Sequence, residues 1–230
     1  MISITLLEKD RFVSLTELEK WNCGLTTIEL GALNGLTNLT ELSMQDNKIN
    51  DILPGTFENM SILVLLDLYN NKMKHLDRDL FRWLRAFNVL TKLRRLSLQC
   101  NKISDIVPGT FGNLSSLLYL NSSYNRIEHL DSAVLRGMGS FNGLPKVSEQ
   151  TMFSNKIIHT MPGTFGNMSS LQYLDLSYNR IKHLVRALFR VWRPFNGLTN
   201  LTYLSMQGNI ICEILPGTFQ NMRSGISSIR

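Results

Sequence analysis

The chain has 230 residues, 43% of them hydrophobic and 18% charged, and 24 Lys and Arg against 18 Asp and Glu leave a net charge of +6. This is an ordinary soluble composition with a basic balance that favours acidic partners. No apolar run approaches the roughly 18 residues of a membrane span, since Ile2 to Leu7 is closed by Glu8, Lys9, Asp10 and Arg11, and no signal peptide is recognisable.

In chain order, residues 1–14 read as an N-terminal segment or partial cap. A weak unit follows, centred on Cys23, with Leu15, Leu18 and Leu25 in place and Lys20 where an apolar residue belongs. From there a repeat takes over: LSMQDNKI at 42–49 returns as LSMQGNII at 204–211, 162 residues later. Its fixed points are Asn47, Asn71, Asn101, Asn125, Asn155, Asn179 and Asn209, at alternating intervals of 24 and 30. Each is followed two places on by Ile or Met, and most are preceded by apolar residues eight, five and three places back, giving LxxLxLxxNxI. The unit of duplication is therefore a pair of 24 plus 30 residues. Ser122 and Gln150 depart from the pattern where an apolar side chain should turn inward.

This pattern resembles the leucine-rich repeat family over nearly the whole chain. Endings such as ILPGTFENM and IVPGTFGNL are similar to the 24-residue extracellular subtype found in Toll-like receptor ectodomains. The resemblance implies an α/β leucine-rich repeat solenoid: a curved horseshoe with a parallel concave β-sheet and a convex side of loops and short helices. About eight units are expected over 15–222, with 223–230 a truncated or uncapped tail. The physics agrees with that expectation. LxL turns two leucines to one face of a short strand, which only stacked neighbours can bury. The asparagines then form an internal ladder that pairs loop backbone groups. Pro54, Pro108, Pro162 and Pro216 turn the chain to the convex side, and Phe57, Phe111, Phe165 and Phe219 plug back into the core. The longer units carry helical patterns at 76–90 and 184–198, and a weaker one at 130–144.

A solenoid presents its exposed strand residues on one concave surface. Candidate ligand-binding residues there are Tyr69, Arg95, Tyr119, Tyr124, Phe153, Tyr173, Asp175, Tyr178 and Tyr203. Exposed tyrosine offers a rigid apolar body with a polar tip, which suits a binding hot spot; stacking that only stabilises the sheet is the structural alternative. A second candidate is the basic convex face, Arg82, Arg85, Arg190 and Arg193, for acidic partners. Lys48, Lys72, Lys102, Arg126, Lys156 and Arg180 form a basic column beside the asparagines and read as a solvated rim.

Cys23, Cys100 and Cys212 are an odd number without CxxC spacing, so they read as buried small hydrophobes rather than a disulfide framework or zinc site. His75, His129, His159 and His183 recur at one repeat position without a carboxylate or cysteine in register, so no metal and no cofactor is expected. GxSxG, HExxH, P-loop and GxGxxG signatures are absent, and the reading is non-enzymatic. Sequons at Asn38, Asn59, Asn113, Asn167 and Asn200 are glycosylation candidates in a secreted protein; a sixth, Asn121, lies in a concave strand. The leading expectation is a recognition module binding a protein ligand through its concave face, as in a receptor ectodomain. The alternative is an intracellular scaffold using the convex arginines. Nucleic acid is not expected, and an uncapped end predicts self-association.

Overall fold

In a computed structural model of the chain, the described residues are 6–7, 24–53, 55–74, 90–106, 111, 114–130, 141, 144–160, 164–165, 168–182, 184, 195, 197–214 and 218–219. Among them run β1 (Leu6–Leu7), β2 (Thr27–Ile28), β3 (Glu41–Ser43), β4 (Leu65–Asp67), β5 (Arg95–Ser97), β6 (Asp105–Ile106), β7 (Tyr119–Asn121), β8 (His129–Leu130), β9 (Glu149–Thr151), β10 (His159–Thr160), β11 (Tyr173–Asp175) and β12 (Tyr203–Ser205). Seven form one sheet in the order β12, β11, β9, β7, β5, β4, β3. Every pairing in it is parallel, because each coil returns on the far side before the next strand begins. Glu41, Leu65, Arg95, Tyr119, Glu149, Tyr173 and Tyr203 stand opposite one another in that register. A smaller sheet of β6, β8 and β10 runs along an edge of the coils, and β1 pairs with β2. The result is a β-solenoid of stacked coils.

The strand alternation decides which side is core. The central residue of each strand in the large sheet, Leu42, Leu66, Leu96, Leu120, Gln150, Leu174 or Leu204, is at most 2% exposed, while its neighbours remain accessible on the other face, apart from Ser205, which is buried. The two departures noted in the sequence do turn inward: Ser122 and Gln150 are both fully buried. Ser122 Oγ reaches Thr151 O only at 3.5 Å, and Gln150 Nε2 points to Met152 Sδ at 3.4 Å. Gln150 Oε1 has no hydrogen-bond partner.

Each ladder asparagine ties two coils together. Asn125 Oδ1 accepts the amide of Ile103 at 3.0 Å from the preceding coil, while its Nδ2 donates to Leu98 O at 2.9 Å and Ser122 O at 3.1 Å. Asn71, Asn101, Asn155, Asn179 and Asn209 repeat the same pattern. A leucine in this place would strand donors and acceptors in the interior.

Phe57, Phe111 and Phe165 are buried as expected, and Phe219 packs partly against the core. The aromatic spine is denser than the sequence suggested, because Phe141 and Phe195 from the longer units join it. Centroids from Phe111 through Phe141, Phe165 and Phe195 to Phe219 are separated by 6.1, 5.6, 6.0 and 5.8 Å, with rings nearly parallel. Both repeat lengths therefore close on the same interior. Most of each helical pattern, 76–90, 130–144 and 184–198, and the four prolines lie outside the described residues, as does Cys23.

The cysteine expectation needs correction. Cys100 is half-buried and Cys212 exposed. Their repeat positions explain this: Cys100 immediately precedes a ladder asparagine, where the chain turns outward, and Cys212 lies beyond the last one, with Sγ 3.4 Å from Lys182 O. No helix among the described residues is long and apolar enough to cross a membrane.

Candidate ligand-binding face

The residue before each ladder asparagine must swing the chain out of the strand so that the amide can turn in. Asp46, Asn70, Cys100, Tyr124, Ser154 and Tyr178 all do so with φ between 50° and 59°, and Gly208 with φ 68°. Asp and Asn tolerate this left-handed region; for a tyrosine it is a strained conformation. Tyr124 and Tyr178 nevertheless occupy it, and they are 54% and 53% exposed. Phe153, from the coil between them, makes edge-to-face contacts with both at 5.1 Å. Two exposed tyrosines and a half-buried phenylalanine thus form one cluster beside the concave sheet.

A second aromatic group lies on the strands themselves. Tyr173 and Tyr203 are register partners and stack with centroids 4.4 Å apart and rings 1° from parallel. Arg95 places its guanidinium over the ring of Tyr119 at 5.8 Å. Asn121 Nδ2 donates to Tyr119 Oη at 3.1 Å, and Asn121 Oδ1 accepts the Ser123 amide. Asp175 repeats that motif, accepting the Ser177 amide at 2.9 Å and also the Ser177 hydroxyl. The Tyr173 phenol is pushed up to about 12, first by burial and then by the charges of Asp175, Tyr203 and Glu149 around it.

The sequence-predicted residues therefore fall into three groups: Arg95 with Tyr119; Tyr124, Phe153 and Tyr178; and Tyr173 and Tyr203 beside Asp175. Tyr69 stands apart from the other aromatics. Its phenol is held above the usual range, chiefly by the neighbouring Cys100 thiol. Glu149, which sits between Tyr119 and Tyr173 in the register, was absent from the predicted set. Its signal was present in the repeat frame, since it occupies the same column as the tyrosines. An open hollow of about 490 Å³ adjoins this row, lined by Glu41, Val64, Leu65, Arg94, Arg95, Leu118, Tyr119, Ser148 and Glu149.

Charge is unevenly distributed. The concave columns carry Glu41, Asp46, Asp67, Glu149 and Asp175 against Arg95, in a chain whose overall charge is +6. The compensating cations stand on an edge: Lys48, Lys72, Arg126 and Arg180 are exposed, and Lys102 and Lys156 partly so. Among the described residues the ion pair in this column is Lys156 with Glu128 at 3.7 Å. His129 and His159 are register partners at one edge, and His75 and His183 lie outside the described residues. Among the described residues no three His, Cys, Asp or Glu converge to hold a metal. Asn38 and Asn59 are exposed and Asn200 half-buried, whereas Asn113, Asn167 and the arginines Arg82, Arg85, Arg190 and Arg193 lie outside the described residues.

Comparison with known proteins follows the same outline. The family described as "Leucine rich repeat" matches residues 13–73, 38–90, 91–149 and 152–190, and a further single repeat matches 200–222. Rabbit (Oryctolagus cuniculus) lumican is 31% identical over 172 residues, covering 74% of this chain and 69% of that one. Mouse keratocan is 30% identical over 152 residues, 65% of this chain and 39% of its own. Among solved structures, the TLR13–ssRNA13 complex superimposes over 90% of this chain with TM-score 0.72 and 28% identity, and the Drosophila Toll–Spatzle complex with TM-score 0.72 and 25% identity. The chain spans 26% and 27% of those two receptor chains.

Proposed function

The chain belongs to the leucine-rich repeat family, and from that premise we propose that it is a non-enzymatic recognition module that binds a protein ligand across its concave face. The observation that carries this reading is the pair Tyr124 and Tyr178, two exposed tyrosines held in a strained backbone conformation around Phe153. A purely structural position of this kind is satisfied by Asp, Asn, Cys, Ser or Gly, as the other coils demonstrate. Large aromatics there add surface for a partner, the usual use of strain retained at a site. The Toll–Spatzle complex supplies a precedent for a protein ligand on such a scaffold, and the TLR13–ssRNA13 complex one for RNA. Protein is favoured because the concave columns are acidic and repel phosphate. Exposed sequons at Asn38 and Asn59 support an extracellular glycoprotein.

The test compares the wild-type chain with a variant carrying Tyr119→Ala, Tyr124→Ala, Tyr173→Ala, Tyr178→Ala and Tyr203→Ala, each immobilised and exposed to extracellular fluid from the source tissue. Circular dichroism should show the same fold for both, and a ligand retained by the wild type should be lost from the variant. Undiminished retention overturns the concave assignment. Loss instead on replacing Arg82, Arg85, Arg190 and Arg193 with glutamate transfers binding to the convex side.

A further inference from the structure

On the concave sheet Tyr119 and Tyr173 flank Glu149. The two tyrosines are separated by one strand, and the residue between them in register is Glu149. Their outer faces are occupied, Tyr119 by the guanidinium of Arg95 from β5 and Tyr173 by the ring of Tyr203 from β12. The inner faces both look toward β9. Two strand spacings amount to about 9.5 Å, and a flat group touching a ring on each side at about 3.5–4 Å fits within that. Glu149 is exposed at the floor, and Asp175 flanks it one strand away. Among the described residues the sole recorded ion pair involves other side chains, so the Glu149 carboxylate enters no salt bridge there.

We infer that Glu149 and the two tyrosines beside it form a receiving slot for an arginine side chain of a protein ligand, with the guanidinium stacked between Tyr119 and Tyr173 and paired with Glu149. The inference rests on the recognition role proposed above and names its chemistry. Three observations converge on it. The molecule already demonstrates the contact, since Arg95 occupies the other face of Tyr119. The concave columns are acidic in a basic chain, so the complementary partner is cationic. The carboxylate lies in register with both rings, as a cation held jointly by aromatic faces and an anion requires. Arginine suits the slot better than lysine, because its guanidinium is planar, weakly hydrated and able to present two parallel donors to one carboxylate.

N-acetyl-arginine methylamide is the probe, with the lysine and citrulline analogues as controls, titrated into the isotopically labelled chain and followed by nuclear magnetic resonance. Binding in the millimolar range is expected for arginine, weaker binding for lysine and none for citrulline, which keeps the shape and lacks the charge. Shifts should centre on Tyr119, Glu149 and Tyr173. Glu149→Gln should weaken arginine binding about tenfold, Tyr173→Ala comparably, and Tyr173→Phe little, since the ring face is retained. An equal response to citrulline, or arginine binding unchanged in Glu149→Gln, overturns the slot. If that happens while the multiple tyrosine variant still loses the natural ligand, concave recognition stands without the slot. If the multiple tyrosine variant keeps its ligand, the recognition reading itself fails, whatever the titration shows.

Discussion

The first outward position of the strands has diverged further than the inward positions beside it since the 54-residue pair was duplicated. Asn47, Asn101, Asn155 and Asn209, one pair apart, are all asparagine, and Leu42, Leu96, Gln150 and Leu204 differ once. Among the outward positions, Glu41, Arg95, Glu149 and Tyr203 agree only in two glutamates, whereas Ser43, Ser97, Thr151 and Ser205 differ once. Each inward position meets the same surroundings coil after coil, so the same side chain solves it each time. An outward position needs only to be compatible with a short strand, which leaves its chemistry available for a partner. Inward changes should therefore be read out in stability, and outward changes in binding.

The sharpest test of the first half is the ladder. Asn125→Ala removes one acceptor and one donor group serving four backbone partners in two coils. Urea unfolding should show a loss of about 3–5 kcal/mol, since each buried group left unpaired costs roughly 1–3 kcal/mol. Asn209→Ala should cost visibly less, because that side chain is only partly buried. Equal losses would mean that the ladder stabilises each coil independently of its burial.

An inward position that has diverged gives the opposite sign. Gln150 fills a leucine column between Leu120 and Leu174, with its carbonyl oxygen unpaired. Gln150→Leu should raise stability by about 1–3 kcal/mol, relieving an unsatisfied polar group and adding apolar burial. Its neighbour Glu149 faces outward, so ligand binding should be unaltered. A loss of stability would show that the amide is satisfied after all.

These columns also explain what was legible beforehand. The asparagine spacing and the LxL alternation contain the parallel sheet and the ladder, because both are periodic and the period is the structure. The spine members Phe141 and Phe195 were obscured by the additional residues of the longer units, which shift them out of frame with Phe111 and Phe165. The cluster of Tyr124, Phe153 and Tyr178 was readable only as membership of one face. Its members occupy different places in the repeat, one or two residues before an asparagine, and meet only because the left-handed turn sets adjacent columns side by side. Cys100 was misjudged for the same reason: hydrophobicity predicts burial, whereas position in the turn decides exposure.

Gly208 blurs the division between columns. It faces outward, yet a Cβ there would stand 2.9 Å from Tyr178 Cδ1. Six other residues adopt the same positive φ without being glycine, so the backbone alone does not exclude a side chain. Gly208→Ala should cost about 1–2 kcal/mol, and much less in a Tyr178→Ala background, where the ring is gone. A cost that is the same in both backgrounds would assign the whole effect to the backbone.

The smallest stability effect is expected at Tyr124, and it is the most informative about the outward columns. Asparagine accepts φ 54° more readily than tyrosine, a gain of the order of 1 kcal/mol. Tyr124→Asn also loses the edge-to-face contact with Phe153, about 0.5–1.5 kcal/mol. The two terms nearly cancel, so the urea midpoint should barely move. Binding to the natural ligand should nevertheless fall, by about tenfold if this ring is a central contact. A variant that becomes clearly more stable and binds as before would show that the strained tyrosine does nothing for recognition. An unchanged midpoint with weakened binding would mean that the cost of the turn is tolerated for the sake of the partner, and that the outward columns are held to a different criterion from the asparagines beside them.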